Sequence, residues 1–194
     1  SAEVYIVVTL PFPPDFPVFW RQAAQRGLAQ RLKIMQMAKA GLFASEMESL
    51  GDLGHGLCTG VYWHPAFPFS SVATGLSNAE LGAQYEAATG RQWAQALGAS
   101  ASLFDAALAL AAQAGDPKDK EALAATLPGL VADTAVGRVD FTAGPVPNCT
   151  TSGVAGGQWN RVQGERFPFQ LDLVFDSDIP GLGLTADFRP LAFG

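Results

Sequence analysis

The side chains here that could do chemistry are few and far apart. The two histidines, His55 and His64, are separated by an apolar run, and neither has a cysteine or carboxylate at a spacing that metal sites use. No metal and no cofactor is expected from them. Ser70 and Ser71 follow His64 closely enough to suggest a nucleophile and its base, the chemistry of a Ser/His hydrolase. No acid stands nearby to orient that base, and neither a G-x-S-x-G elbow nor a P-loop occurs. The carboxylates at Asp15, Glu46, Glu48, Asp52, Glu80 and Glu86 read as helix caps or solvated helix faces, with no pair placed for acid–base work. Catalytic residues are therefore not expected, and the balance tilts toward binding. Cys58 and Cys149 are too few to define a disulfide framework; two separate thiols and a single bridge both remain open.

Composition narrows the partners. The chain has 194 residues, 48% of them hydrophobic and 15% charged, so a core is affordable and disorder is not expected. A net charge of −6 argues against nucleic acid and anionic membranes, whose phosphates need clustered Lys and Arg. The opening SAEVYIVV lacks the charged start and cleavage site of a signal peptide. ASLFDAALALAAQAG, the most apolar helical stretch, is interrupted by Asp105 and reads as a buried helix.

Three segments look like binding surface, and the elements before them say why. EVYIVVTL (3–10), LKIMQM (32–37) and GLCTGVYW (56–63) read as buried strands alternating with helices over about 17–27 and 45–50. That β-α-β-α-β order predicts parallel strands with right-handed crossovers. Ligands of open parallel sheets collect beyond the carboxyl ends of the strands. Phe12 in the stiff loop PFPPDF, Lys39 in MAKA, and Trp63 and His64 in GVYWHPAFPF all fall there. A helical portion follows. Ser77 and Glu80 form a capping box opening a helix over 78–89; others are expected over 99–114 and 117–127, the last capped by Asp116. TAVGRVDFT (134–142) reads as one strand, and 153–162 and 167–175 as a hairpin joined by QGER. A parallel strand at 3–10 is expected to have flanking strands that this chain does not supply.

The runs PPDFPVFWRQAAQRGL, AKAGLF, ESLGDLG and VYWHPAFPFSS, continuing through NAELGAQYEAATGRQW, VGRVDFT and GGQWNRV to FPFQLDLVF, resemble the amino-acid and amide-type periplasmic substrate-binding proteins of ABC transporters. The resemblance implies the type I periplasmic-binding fold, a parallel-sheet α/β three-layer sandwich, present only as its C-terminal half. It implies that residues 1–62 belong to lobe two, 63–147 to lobe one, and 148–194 return to lobe two. The signal peptide would lie upstream, and the protein would work in the periplasm or another extracytoplasmic space. The partners implied are permease subunits and a small ligand, an amino acid, an amide or an aromatic acid, held between two closing lobes with no chemistry done on it. The ligand-binding residues implied are Phe12, Lys39, Trp63, His64 and Ser100. GVYWHPAFPF would be the hinge crossover. Lys39 stands where amino-acid binders of this family place an acid for the ligand's ammonium, a departure that favours a carboxylate-bearing or neutral polar ligand. A cytoplasmic ligand sensor with the same fold is the alternative.

Overall fold

The β-branched run IVVT forms β1 (Ile6–Thr9) and IMQM forms β2 (Ile34–Met37), side by side and parallel, with Ile6 opposite Ile34 and Thr9 opposite Met37. Parallel neighbours need a long crossover. In this computed structural model, which describes residues 5–192, the crossover carries α1 (Asp15–Gln25). α1 buries Phe16, Pro17, Trp20 and Ala23 along one face, and the Trp20 indole N–H donates to the Leu53 carbonyl at 2.8 Å. Asp15 was expected to cap this helix but is its first residue, donating its own N–H to the Phe12 carbonyl at 2.7 Å. Its carboxylate still sits in the first turn, where the helix dipole favours it. α2 (Ala44–Leu50) then leads to β3 (Cys58–Val61), parallel to β2.

After Val61 the chain enters a second compact unit, Tyr62–Val154 with Asp178–Leu182; everything else belongs to the first. In the second unit β4 (Ser70–Ser71) and β5 (Leu76–Ser77) form a short antiparallel ribbon. Ser77 caps α3 (Asn78–Thr89): its hydroxyl accepts from the Glu80 N–H, and the Glu80 carboxylate accepts from the Ser77 N–H at 2.9 Å. The capping box read from the sequence is therefore present, and Gly90 closes the helix in the left-handed conformation. α4 (Gln95–Ala114) is long and apolar enough to cross a membrane by length and composition alone. It buries Gln95, Gly98, Ala101, Ser102 and Asp105, yet leaves Leu103 70% and Phe104 64% exposed. The expectation of a buried helix thus holds for one face only. α5 (Lys120–Thr126) is capped by Asp119, which accepts from the Glu121 and Ala122 N–H groups. Asp116, expected in that role, holds the Lys118 N–H in the preceding turn instead.

The stretch expected as one strand over 134–142 is split. β6 (Val131–Thr134) turns through Ala135 and Val136 into β7 (Gly137–Asp140), an antiparallel hairpin. The chain then returns to the first unit as β8 (Ala155–Arg161) and β9 (Phe169–Phe175), the expected hairpin, with β8 antiparallel to β3. The sheet runs β1-β2-β3-β8-β9, parallel through β3 and antiparallel beyond it. β1 is an edge strand. Its Ile6 and Val8 are 57% and 69% exposed, so the buried strand expected there has one side open.

Candidate functional site

In the first unit, β1 and β2 end side by side, and each hands the chain to a stiff connection. After β1 the loop carries Phe12, half exposed; after β2 a 3-10 turn, Lys39–Leu42, begins on Lys39. The turn is fixed from below. The Trp159 indole N–H donates to the Gly41 carbonyl at 2.9 Å, and a Cβ on Gly41 would collide with the Thr59 side chain. Backbone held so tightly leaves Lys39 little freedom except along its own stem. Its Nζ lies 4.5 Å from the Phe12 ring centroid, within cation–π range. Two of the residues singled out in the sequence are thus brought together at the carboxyl ends of parallel strands. Lys39 itself is exposed.

Tyr62, Trp63 and His64 stand at the start of the second unit, each tied by a different kind of contact. The Tyr62 N–H donates to the buried Gln95 side chain at 3.0 Å, and burial pushes the Tyr62 phenol pKa upward. Trp63 is fully buried with Leu81, Ala101 and Ala135 around it. Its indole N–H donates to Asn78 at 2.8 Å, and Trp93 meets the ring edge-on at a centroid distance of 5.6 Å. His64 is nearly buried; its Nδ1 accepts the Ala66 N–H at 3.0 Å, and its ring stands edge-on to Trp93 at 4.9 Å. The aromatic surface here is therefore packed inward. Ser100 lies in the second turn of α4 with its residue exposed.

The strongest polar centre of the second unit was not legible as a site. Asp105 is 1% exposed in the middle of α4. One carboxylate oxygen accepts from the Ser71 hydroxyl at 2.8 Å and the Ala73 N–H at 2.7 Å, and the other accepts from the Ala135 N–H at 3.0 Å. Ser71 in turn accepts the Thr74 N–H. A buried carboxylate is tolerable when donors saturate it, and here it fastens α4 to the β4 turn and the β6–β7 turn. The Ser71 hydroxyl donates to this carboxylate, an arrangement that serves architecture. One signal was available: a single Asp inside an Ala- and Leu-rich helix announces a buried carboxylate with assigned donors. Asn78 acts similarly, accepting from Trp63 and donating to the Ala135 carbonyl at 2.9 Å. Both cysteines are free thiols, Cys58 buried and Cys149 exposed. Among the described residues no cluster of three or more His, Cys, Asp or Glu is placed to hold a metal ion.

Residues 1–159 match the sequence profile of a family described as periplasmic binding protein. A search of curated proteins gives no significant match. Among solved structures, the chain is similar to a leucine binding protein from Thermotoga maritima, with TM-score 0.65 and 15% identity, over 89% of this chain and 45% of that one. It is similar to an ABC-transporter solute binding protein from Rhodopseudomonas palustris in complex with 3,4-dihydroxybenzoic acid, with TM-score 0.63 and 18% identity, over 91% and 46%. A second solute binding protein from R. palustris, in complex with benzoate, matches with TM-score 0.58 and 14% identity, over 96% and 44%. The chain therefore spans less than half the length of each of these structures.

Proposed function

Because the chain belongs to the periplasmic binding protein family, we propose that it serves as the solute-binding component of an ABC importer. Its architecture is part of the type I periplasmic-binding fold. In this reading it works outside the cytoplasm, binds an amino-acid-like, amide or aromatic-acid ligand between two closing lobes, and delivers it to permease subunits without altering it. We take the two compact units as these lobes; they differ from the division expected from the sequence (1–62 with 148–194, and 63–147) in that Tyr62, residues 148–154 and Asp178–Leu182 lie in the second unit.

The observation that carries the reading toward a ligand class is Lys39 over the face of Phe12. An ammonium at the carboxyl end of a parallel sheet attracts a carboxylate, and the neighbouring ring offers a flat apolar surface. Both features suit an aromatic acid, the kind of molecule held by the two R. palustris proteins. Ser100, exposed in the second turn of α4, is proposed as a further hydroxyl for the ligand. Trp63 and His64 are packed inward, Trp63 bonded to Asn78 and His64 to the Ala66 N–H, so in this reading they brace the start of the second unit.

The test is a thermal-shift and calorimetric comparison of benzoate, 3,4-dihydroxybenzoate, leucine and small amides, using the gene product that contains this chain. A ligand at 100 times its dissociation constant adds about 2.7 kcal/mol of stability. Lys39→Glu is expected to abolish binding of acids while sparing neutral amides. Indifference to that charge reversal, or no stabilisation by any of these three classes, would refute the assignment.

A further inference from the structure

The chain is acidic, with 12 Lys and Arg against 18 Asp and Glu. One cavity of the first unit departs from that balance. It is an open concavity of about 510 Å³ lined by the exposed residues Arg161, Arg189 and His55, with Asp52 as its one carboxylate. It opens at the amino end of β3, beside Gly56, whereas Phe12 and Lys39 lie beyond the carboxyl ends of β1 and β2. At about 3.3 Å per residue, Gly56 and Val61 are about 17 Å apart along the strand. The two places are at opposite ends of one sheet.

The cavity wall is built rather than incidental. Gln158, buried in β8, spends its whole amide on it: Nε2 donates to the Gly56 carbonyl at 3.0 Å and the Arg189 carbonyl at 2.7 Å, and Oε1 accepts the Arg189 N–H at 3.1 Å. The tail that brings Arg189 is thereby clamped at that residue on both sides of its backbone. Leu191, the next buried side chain, packs against Gly56, whose φ of +80° lies in the region that favours glycine. His55 accepts the Arg161 N–H at its Nδ1, 3.1 Å away, which leaves the ring proton on Nε2 as a donor. Arg161 is ion-paired with Asp52. Arg189 has no carboxylate partner among the described residues. One guanidinium charge is thus uncompensated in a concave site that also offers an imidazole N–H and a second guanidinium.

We propose that this cavity is a binding site for a small oxyanion, a carboxylate or phosphate, held by the fork of Arg189 with His55 and Arg161 beside it. Planar guanidinium matches such anions with two parallel hydrogen bonds, and a lysine in its place would supply only a point charge. The site is independent of the ligand proposed at Phe12 and Lys39.

Titrating the isotope-labelled chain with inorganic phosphate and, separately, succinate, at ionic strength held constant with chloride, tests this by amide NMR. Saturable shifts confined to His55, Gly56, Arg161 and Arg189 are expected. Saturation by phosphate alone would identify a phosphate site, and saturation by both a general oxyanion site. Arg189→Gln should weaken the affinity about tenfold or more, and Arg189→Lys should weaken it by less. Lys39→Glu should leave these shifts unchanged while eliminating acid binding at the other end, so the two assignments fail separately. Unsaturated shifts with both anions, equal shifts with chloride, or full affinity in Arg189→Gln would overturn the proposal.

Discussion

Replacing Asp105 with alanine removes both oxygens from a place where the carboxylate is 1% exposed. Three donors lose their acceptor: the Ser71 hydroxyl and the Ala135 N–H, both on residues no more than 1% exposed, and the partly buried Ala73 N–H. A buried donor without a partner costs about 1–3 kcal/mol. Two full penalties and a smaller third give about 4 kcal/mol, with no allowance for the small void. With a urea m-value of about 2 kcal/mol/M, the midpoint should fall by about 2 M. Asp105→Asn keeps one carbonyl oxygen for Ser71 and Ala73 but turns an NH2 toward the Ala135 N–H, so about half the loss is expected. Urea denaturation followed by circular dichroism measures both variants, and hydrogen exchange at the Ala135 amide reports the site directly. If Asp105→Ala stays within about 1 kcal/mol of the parent, or if the asparagine costs as much as the alanine, the donors have other partners and the reasoning is wrong.

Gly98→Ala should destabilise by about 3 kcal/mol in the same urea assay, because its Cβ would fall inside the Trp63 ring, whereas Gly129→Ala, in open space without a positive φ, should be neutral or stabilising by up to about 1 kcal/mol. Burial pushes the Cys58 thiol up to about 11, with Gln158 pulling weakly the other way. The folded state therefore keeps its proton longer than the unfolded chain. The contribution is complete below the ordinary thiol pKa near 9 and is lost as pH rises toward about 11, amounting to about 2–3 kcal/mol that Cys58→Ala should remove from the alkaline limb. Iodoacetamide near neutral pH should modify exposed Cys149 and spare Cys58 until the chain unfolds, as peptide mass mapping would show.

What was legible in the sequence was local. The Ser77–Glu80 box needs only four residues to exist, and it was found at its true place. Two other helix starts were missed although their determinants are equally near, because more than one residue there could take the role. Asp15 lost its capping role to the Phe12 carbonyl, and Asp116 has acidic company three residues on, where Asp119 has the better reach to Glu121 and Ala122. The β6–β7 turn was invisible for a stronger reason. Ala135 and Val136 carry no turn chemistry of their own; their N–H groups are held by Asp105, 30 residues upstream on α4, and by the Ser102 hydroxyl, 34 residues upstream. The same split divides the candidate site. Phe12 and Lys39 were placed by the rule for strand ends, which is a property of topology. The inward packing of Trp63 and His64 depends on Asn78, Trp93 and Gly98, which strand patterning cannot see. The cavity at Arg189 depends on a tail that reads as irregular and on one buried glutamine.

Trp63 and Gly98 are, in evolutionary terms, one character rather than two. The indole occupies the space that any side chain at position 98 would need, so position 98 cannot gain one while the tryptophan stays. A lineage that shrinks Trp63 frees position 98 to become alanine or serine, and one that first adds a Cβ at 98 must give up the tryptophan. Related chains should therefore show the pair changing together, large with none or small with small, while Gly129 varies without regard to either.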